Sequence, residues 1–173
     1  MNLAKDNGSS APPPQLLDWF AGAAFLALIL SDRFLERGSS RILSGLGIAC
    51  LLLAPVLFIP PFLMLKKHGQ VDDGRPFFET KVAVDRGLYA VVRHPQYLGY
   101  IFLVVGFMLL SQRFITILLG AIAVFFFYLY TIREEDYCGR QFGSAYQAYC
   151  KRVPRFNAVS GMIRYLARQR DRE

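Results

Sequence analysis

The sequence predicts an all-α, polytopic membrane protein with about four transmembrane helices. Three runs without a charged residue carry this prediction, at residues 42–65, 95–112 and 114–132. Each run is close to the roughly 20 apolar residues that a helix needs to cross a bilayer. A soluble domain of 173 residues is too small to bury three such helices.

The N-terminal part is predicted to contain a tail and two crossings. Residues 1–15 include three consecutive prolines and are expected to form a disordered or loosely docked tail. Residues 16–31 are predicted as the first helix, and Trp19 suits the membrane interface. Extension of this helix through Phe34-Leu35 gives it a spanning length, so we assign residues 16–65 to the N-terminal transmembrane helices.

Three prolines interrupt the second half of the second predicted helix, which covers residues 42–65. Pro55, Pro60 and Pro61 each lack the N–H group that a helix uses, and each favours a kink. Two alternatives remain for this helix. Either it kinks and continues, with neighbouring helices satisfying the freed carbonyls, or it ends near Pro60.

The formal net charge of +7 would suggest a nucleic-acid partner in a soluble protein. Here, Lys and Arg concentrate in residues 66–93 and after Ile132, which predicts that both parts lie on the cytoplasmic side against anionic lipid. We therefore expect no nucleic-acid partner, and an integral protein of a bacterial inner membrane with a cytoplasmic C-terminus. The chain has only two histidines, His68 and His94, so no metal site is expected.

Two polar stretches border the later apolar runs. Arg93 and His94 stand directly before Pro95, which disfavours helix at His94 and predicts a boundary there. Charged groups at the mouth of a membrane segment are costly unless they bind something. The second stretch covers residues 130–137, at the end of the last apolar run. If the last membrane helix continues, Tyr130 and Glu134 share a face of it. The alternative is a solvated helix end beyond the bilayer.

Together these stretches resemble the isoprenylcysteine carboxyl methyltransferase family, which are integral-membrane enzymes that use S-adenosylmethionine. The resemblance covers about residues 80–156. Its motifs are Gly87-Leu88-Tyr89, Arg93-His94-Pro95-Gln96-Tyr97, Gly99, Glu134-Glu135, Phe142-Gly143, Tyr146, Tyr149 and Arg152-Val153-Pro154-Arg155.

The resemblance implies a cofactor pocket at the cytoplasmic face, built by a C-terminal methyltransferase region of residues 66–173. The cofactor is S-adenosylmethionine, and the positions that the family uses to bind it are Lys81, Val82, Ala83, Val84, Tyr89, His94, Pro95, Gln96, Tyr97 and Glu134. Lys81 replaces the family's usual His, and Ala83 its usual Leu. The chemistry of the residues agrees, since Glu134 can pair with the cofactor's ammonium, and either Arg93 or backbone donors can bind its carboxylate.

Three further residues are candidates for the reaction itself. Tyr130 occupies the position of a family arginine that contacts the substrate, and Arg133 could supply the guanidinium instead. A carboxylate acceptor needs no base, whereas an amine acceptor must lose a proton. In that case Glu135 or His94 is the candidate base.

The predicted function is methyl transfer to a lipophilic acceptor within membrane lipid. An isoprenylcysteine-like carboxylate is favoured, and a phospholipid or small-molecule N- or O-acceptor is the alternative. Two other classes stay open. A membrane reductase that uses NADPH, similar to the sterol reductases, shares Arg-His-Pro but usually has Asn where this chain has Gln96. A non-catalytic membrane scaffold would bind neither cofactor.

Overall fold

The computed structural model describes residues 39–69 and 84–170, together with Gly22 and Leu26, and every regular element in this part of the chain is helical. The all-α class is therefore confirmed. The tail, all of the first predicted crossing but Gly22 and Leu26, and residues 81–83 lie outside the described residues. The elements are α1 (Arg41–His68), a 3₁₀ helix (Gly87–Ala90), α2 (Pro95–Ser111), α3 (Phe114–Arg152) and α4 (Ala158–Arg170).

Helix α1 continues through all three of its prolines, so the alternative that it ends near Pro60 is wrong. The helix begins after Ser40, whose hydroxyl accepts a hydrogen bond from the N–H of Leu43 at 3.4 Å. It ends at Gly69, whose N–H donates to the carbonyl of Leu65 at 2.8 Å. An apolar surrounding favours continuation, because an unwound backbone would leave more polar groups unsatisfied than a proline does.

Two helices of the described region, α1 and α3, are long and apolar enough to cross a bilayer. Few residues in their apolar parts are buried, unlike those of a soluble core helix. Leu52 is 70% exposed and Phe114 81%, which suits contact with lipid. The 17-residue helix α2 is a shorter apolar helix. The number of four crossings stays a prediction.

Helices α1 and α2 are antiparallel and touch through their backbones. A Cβ atom added to Gly47 would lie 3.0 Å from the carbonyl oxygen of Gly106, and one added to Gly99 would lie 3.1 Å from that of Ala54. Small residues permit such close approach between membrane helices.

A tight turn at residues 111–113 closes the hairpin of α2 and α3. Gln112 adopts a left-handed conformation with φ 53°. Its side-chain amide bonds to both main-chain groups of Ser40, accepting from the N–H at 3.1 Å and donating to the carbonyl at 2.9 Å. One side chain thus ties the start of α1 to the end of α2.

Helix α3 extends 20 residues beyond the predicted membrane segment that ends at Ile132, so the chain stays helical as far as Arg152. The helix breaks once, at Gly143, where φ 57° and ψ −131° lie outside the helical region. Glycine adopts this conformation without the steric cost that a Cβ would add. The chain is extended at Val153, and α4 follows.

Candidate functional site

The candidate site forms where the start of α2 meets the segment that follows α3. The N–H of Arg93 donates to the carbonyl of Pro154 at 2.9 Å, and the N–H of His94 donates to that of Arg155 at 3.4 Å. Pro95 is the first residue of α2, where a missing N–H costs nothing. Two motifs that are about 60 residues apart in sequence therefore become neighbours.

Glu135 is the centre of this site, because three basic side chains converge on its carboxylate. Arg93 reaches it through Nη1 at 2.8 Å, and the buried His94 donates from Nε2 at 3.0 Å. Arg155 makes a two-pronged contact, with Nε at 2.9 Å and Nη2 at 2.6 Å from the two carboxylate oxygens. Such forked arginine–carboxylate pairs are strong and fix their geometry.

The surroundings of Glu135 keep it ionised. Burial alone would raise its pKa, but the hydrogen bonds from His94 and Arg155 and the charge of Arg93 lower the pKa to about 2. A carboxylate with so low a pKa accepts protons poorly. These surroundings disfavour the predicted alternative in which Glu135 acts as a general base.

Arg155 is a site residue that the sequence reasoning missed as an individual contributor. It was named there only as part of the Arg152–Arg155 motif and was given no role of its own. Besides Glu135, its guanidinium donates from Nη1 to the hydroxyl of Tyr128 at 3.0 Å and lies 5.3 Å from the centre of that ring. The signal in the sequence was the motif itself, but only the fold shows that it meets α3.

Glu134 is far more open than its neighbour. Its side chain is 43% exposed, against 14% for Glu135. Its carboxylate lies 3.9 Å from Nδ1 of His94 and accepts a hydrogen bond from the hydroxyl of Tyr97. Two adjacent carboxylates therefore have different surroundings: one is held by basic side chains, and the other is accessible to a ligand.

A series of aromatic rings leads from the polar cluster towards the apolar helices. The ring of Tyr97 lies 6.0 Å from that of Tyr130 and 6.3 Å from that of Tyr100. Tyr100 stacks on Phe127 at 5.4 Å and lies 4.9 Å from Phe58 of α1. These rings connect all three long helices beside the site.

Tyr130 and Arg133 lie side by side on α3, as a continuing helix requires. The guanidinium carbon of Arg133 is 5.7 Å from the centre of the Tyr130 ring, within cation–π range. Both side chains are half-buried. Helix α3 continues through both positions and on past Glu134.

Tyr89 is buried beside the site. Its carbonyl accepts a hydrogen bond from the hydroxyl of Tyr149 at 2.8 Å. Burial, followed by the negative charge of Glu134, raises the pKa of Tyr89 above its ordinary value. The phenol therefore stays neutral and can donate a hydrogen bond.

The remaining predicted residues divide into two groups. Pro95 is buried at the start of α2, and Val84 and Gln96 are half-buried nearby in the chain. Three predicted cofactor positions lie outside the described residues: Lys81, Val82 and Ala83.

Comparison with known proteins relates these residues to methyltransferases. The sequence model of the phospholipid methyltransferase family matches residues 42–145, from the first turn of α1 to beyond the break in α3. A protein-S-isoprenylcysteine O-methyltransferase of Schizosaccharomyces pombe is 38% identical over 72 residues, or 41% of this chain and 30% of that protein. Protein-S-isoprenylcysteine O-methyltransferase B of Arabidopsis thaliana is 31% identical over 100 residues, or 53% of this chain and 51% of that protein.

The chain thus matches about half, or less, of the length of these curated relatives. No solved structure matches it significantly. The similarities confirm the resemblance to isoprenylcysteine carboxyl methyltransferases that the motifs predicted.

Proposed function

Because the chain belongs to the phospholipid methyltransferase family, we propose that it is a membrane enzyme that moves a methyl group from S-adenosylmethionine to a lipophilic acceptor. An isoprenylcysteine-like carboxylate is the favoured acceptor, since both relatives described above are protein-S-isoprenylcysteine O-methyltransferases. The site faces the cytoplasm of a bacterial inner membrane in this proposal, as the distribution of Lys and Arg predicts.

The contrast between Glu134 and Glu135 is the observation that carries the proposal. Glu135 binds Arg93, His94 and Arg155 and holds the site together. Glu134 keeps an accessible carboxylate that can pair with the ammonium group of a ligand. A scaffold would need no such open carboxylate beside a partly buried cluster of basic side chains.

The residues present fit S-adenosylmethionine. In the described part of the chain, Nε of Arg93 is buried without a hydrogen-bond partner, and a ligand carboxylate would satisfy it. Glu134 would pair with the ligand's ammonium, and Tyr89 and Tyr97 offer ring faces for its sulfonium or adenine. When bound, S-adenosylmethionine supplies an activated methyl group for in-line displacement.

Alignment and exclusion of water are the main contributions that we propose for the protein. The cluster around Glu135 fixes Arg93 and His94 at the start of α2, next to Glu134. A carboxylate acceptor attacks without a base, so the low pKa of Glu135 is no obstacle. An amine acceptor would need a base, and His94 remains the candidate for that role.

The acceptor's apolar chain would lie along the aromatic rings that run from Tyr97 to Phe58. Arg133 is the proposed partner for an acceptor carboxylate, because its guanidinium stands beside Tyr130, where the family has its substrate-contacting arginine. A guanidinium can bind a carboxylate through two parallel hydrogen bonds.

The experiment that tests this function is transfer of radiolabelled methyl groups from S-adenosylmethionine by the purified protein in lipid. The acceptors would be an S-farnesylcysteine with a free carboxylate, its methyl ester as the matched control, and phosphatidylethanolamine. Label on the free acid and not on the ester supports the favoured acceptor. Label on phosphatidylethanolamine supports the amine alternative, and label on none of them contradicts the proposal.

A further inference from the structure

Helix α4 carries an exposed apolar stripe. Val159, Met162, Ile163 and Leu166 follow the spacing i, i+3, i+4 and i+7, which places them on one face of a helix. Their side chains are 74%, 45%, 64% and 54% exposed, respectively. No function described above uses this face.

The stripe points away from the rest of the protein, because α4 is attached through its other side. Gly161 is buried and directly contacts the carbonyl of Val91, where a Cβ atom would clash. Arg168 donates to the carbonyls of Arg152 at 2.8 Å and of Ala90 at 2.9 Å. The attachment therefore uses one small residue and one arginine.

This orientation is the reverse of that in a soluble protein, where the apolar stripe of a surface helix faces the core. At about 100° per residue, Gly161 and Arg168 lie about 140° and 160° from Leu166 around the helix. A helix that lies on a bilayer has this arrangement, with its apolar face in the lipid.

Charge and position agree with a bilayer as the occupant. Helix α4 contains Arg164, Arg168 and Arg170 and no acidic residue, which complements anionic lipid headgroups. Its contact at Val91 is four positions before Pro95, where the apolar helix α2 begins. The helix therefore sits near the level at which this chain enters the membrane.

We propose that α4 is an interfacial helix that docks on the surface of a bilayer containing anionic lipid, with its apolar stripe buried among the acyl chains. Through Gly161 and Arg168 it then holds the segment before α2 at the membrane surface. The proposal concerns this surface alone and does not depend on the acceptor or the cofactor.

Depth-dependent quenching of a single tryptophan tests the proposal. The chain has one tryptophan, Trp19, and Trp19→Phe provides the background. Leu166→Trp then reports on the stripe, and Arg164→Trp, two residues away and about 160° from it around the helix, is the matched control. Each full-length protein is reconstituted in vesicles of phosphatidylcholine, with or without phosphatidylglycerol. The fluorescence is quenched either by lipids brominated on the acyl chain or by aqueous iodide.

We expect brominated lipid to quench Leu166→Trp and iodide to quench Arg164→Trp, with stronger lipid quenching when phosphatidylglycerol is present. Quenching of Leu166→Trp by iodide alone would show that the stripe faces water. Protection from both quenchers would show that protein covers it, and equal lipid quenching in both vesicles would remove the role of anionic lipid. Each of these outcomes overturns the proposal as stated. Met162→Trp repeats the test at a second stripe position if Leu166→Trp does not fold.

Discussion

Replacing Glu135 with Gln is expected to destabilise the protein, whereas the same change at Glu134 is not. Gln keeps the size of the side chain and removes its charge, so Arg93, His94 and Arg155 lose their common anionic partner. Glu134 has a 43% exposed side chain, and its contact with His94 is long at 3.9 Å. The two neighbours thus form a matched pair.

The size of the effect follows from the pKa of Glu135. A lowering from 4.5 to about 2 corresponds to roughly 3 kcal/mol, at about 1.36 kcal/mol per unit. Arg155 is 27% exposed, so solvent screens part of this interaction and we discount it to about 2 kcal/mol. For a chain of this length, that amount lowers Tm by about 4–8 °C.

Thermal unfolding in detergent measures this effect, with a thiol-reactive dye that reports exposure of Cys50, Cys138 and Cys150, all half-buried in the fold. A pKa below that of the unfolded chain gives stability that is complete above about pH 5 and is lost as the pH falls towards 2. The Tm difference between wild type and Glu135→Gln should therefore shrink to roughly half or less by pH 3. Equal melting temperatures for both Gln variants, or a difference independent of pH, would refute the reasoning.

Three further changes test other parts of the account. Arg133→Lys should raise the acceptor KM and leave cofactor affinity nearly intact, because lysine lacks the planar fork of a guanidinium. Steady-state kinetics measure both quantities. An unchanged acceptor KM would contradict an acceptor role for Arg133. Gly106→Val should lower the free energy of unfolding by about 1–3 kcal/mol, because a Cβ there would meet a side chain of α1 at 2.6 Å. Gly45→Val is the control and should cost little, because a Cβ at that position has open space around it. Equal losses of stability in thermal unfolding would contradict the backbone contact. Tyr149→Phe should cost about 1–3 kcal/mol by leaving the carbonyl of Tyr89 without its hydrogen bond, and an unchanged Tm would contradict that bond.

The apolar runs predicted the helices well, because the sequence shows directly both the length and the lack of charge of a membrane helix. The starts of α2 and α3 at Pro95 and Phe114 agree with the predicted runs. The end of α3 was not predicted, since hydropathy reports where lipid ends and not where a helix ends. Local proline rules likewise suggested a possible end near Pro60, but the helix continues to His68.

The components of the candidate site were predicted from motifs, but their pairing was not. Glu135 and Arg155 are 20 residues apart, and they meet only because α3 breaks at Gly143 and the chain is extended at Val153. The sequence pattern around Gly143 and Val153 does not reveal the direction in which the chain returns. The different surroundings of Glu134 and Glu135 depend on this pairing and are visible only in the fold.

The most direct test of the central claim is a calorimetric titration of S-adenosylmethionine into the purified wild-type protein and into Glu134→Gln. The account predicts saturable binding to wild type and no binding of NADPH. Loss of a charge-assisted hydrogen bond, at about 1.5–3 kcal/mol, should weaken binding to Glu134→Gln by about tenfold or more. Binding of NADPH without S-adenosylmethionine would contradict the proposed reaction, and equal affinity in both proteins would contradict the role of Glu134.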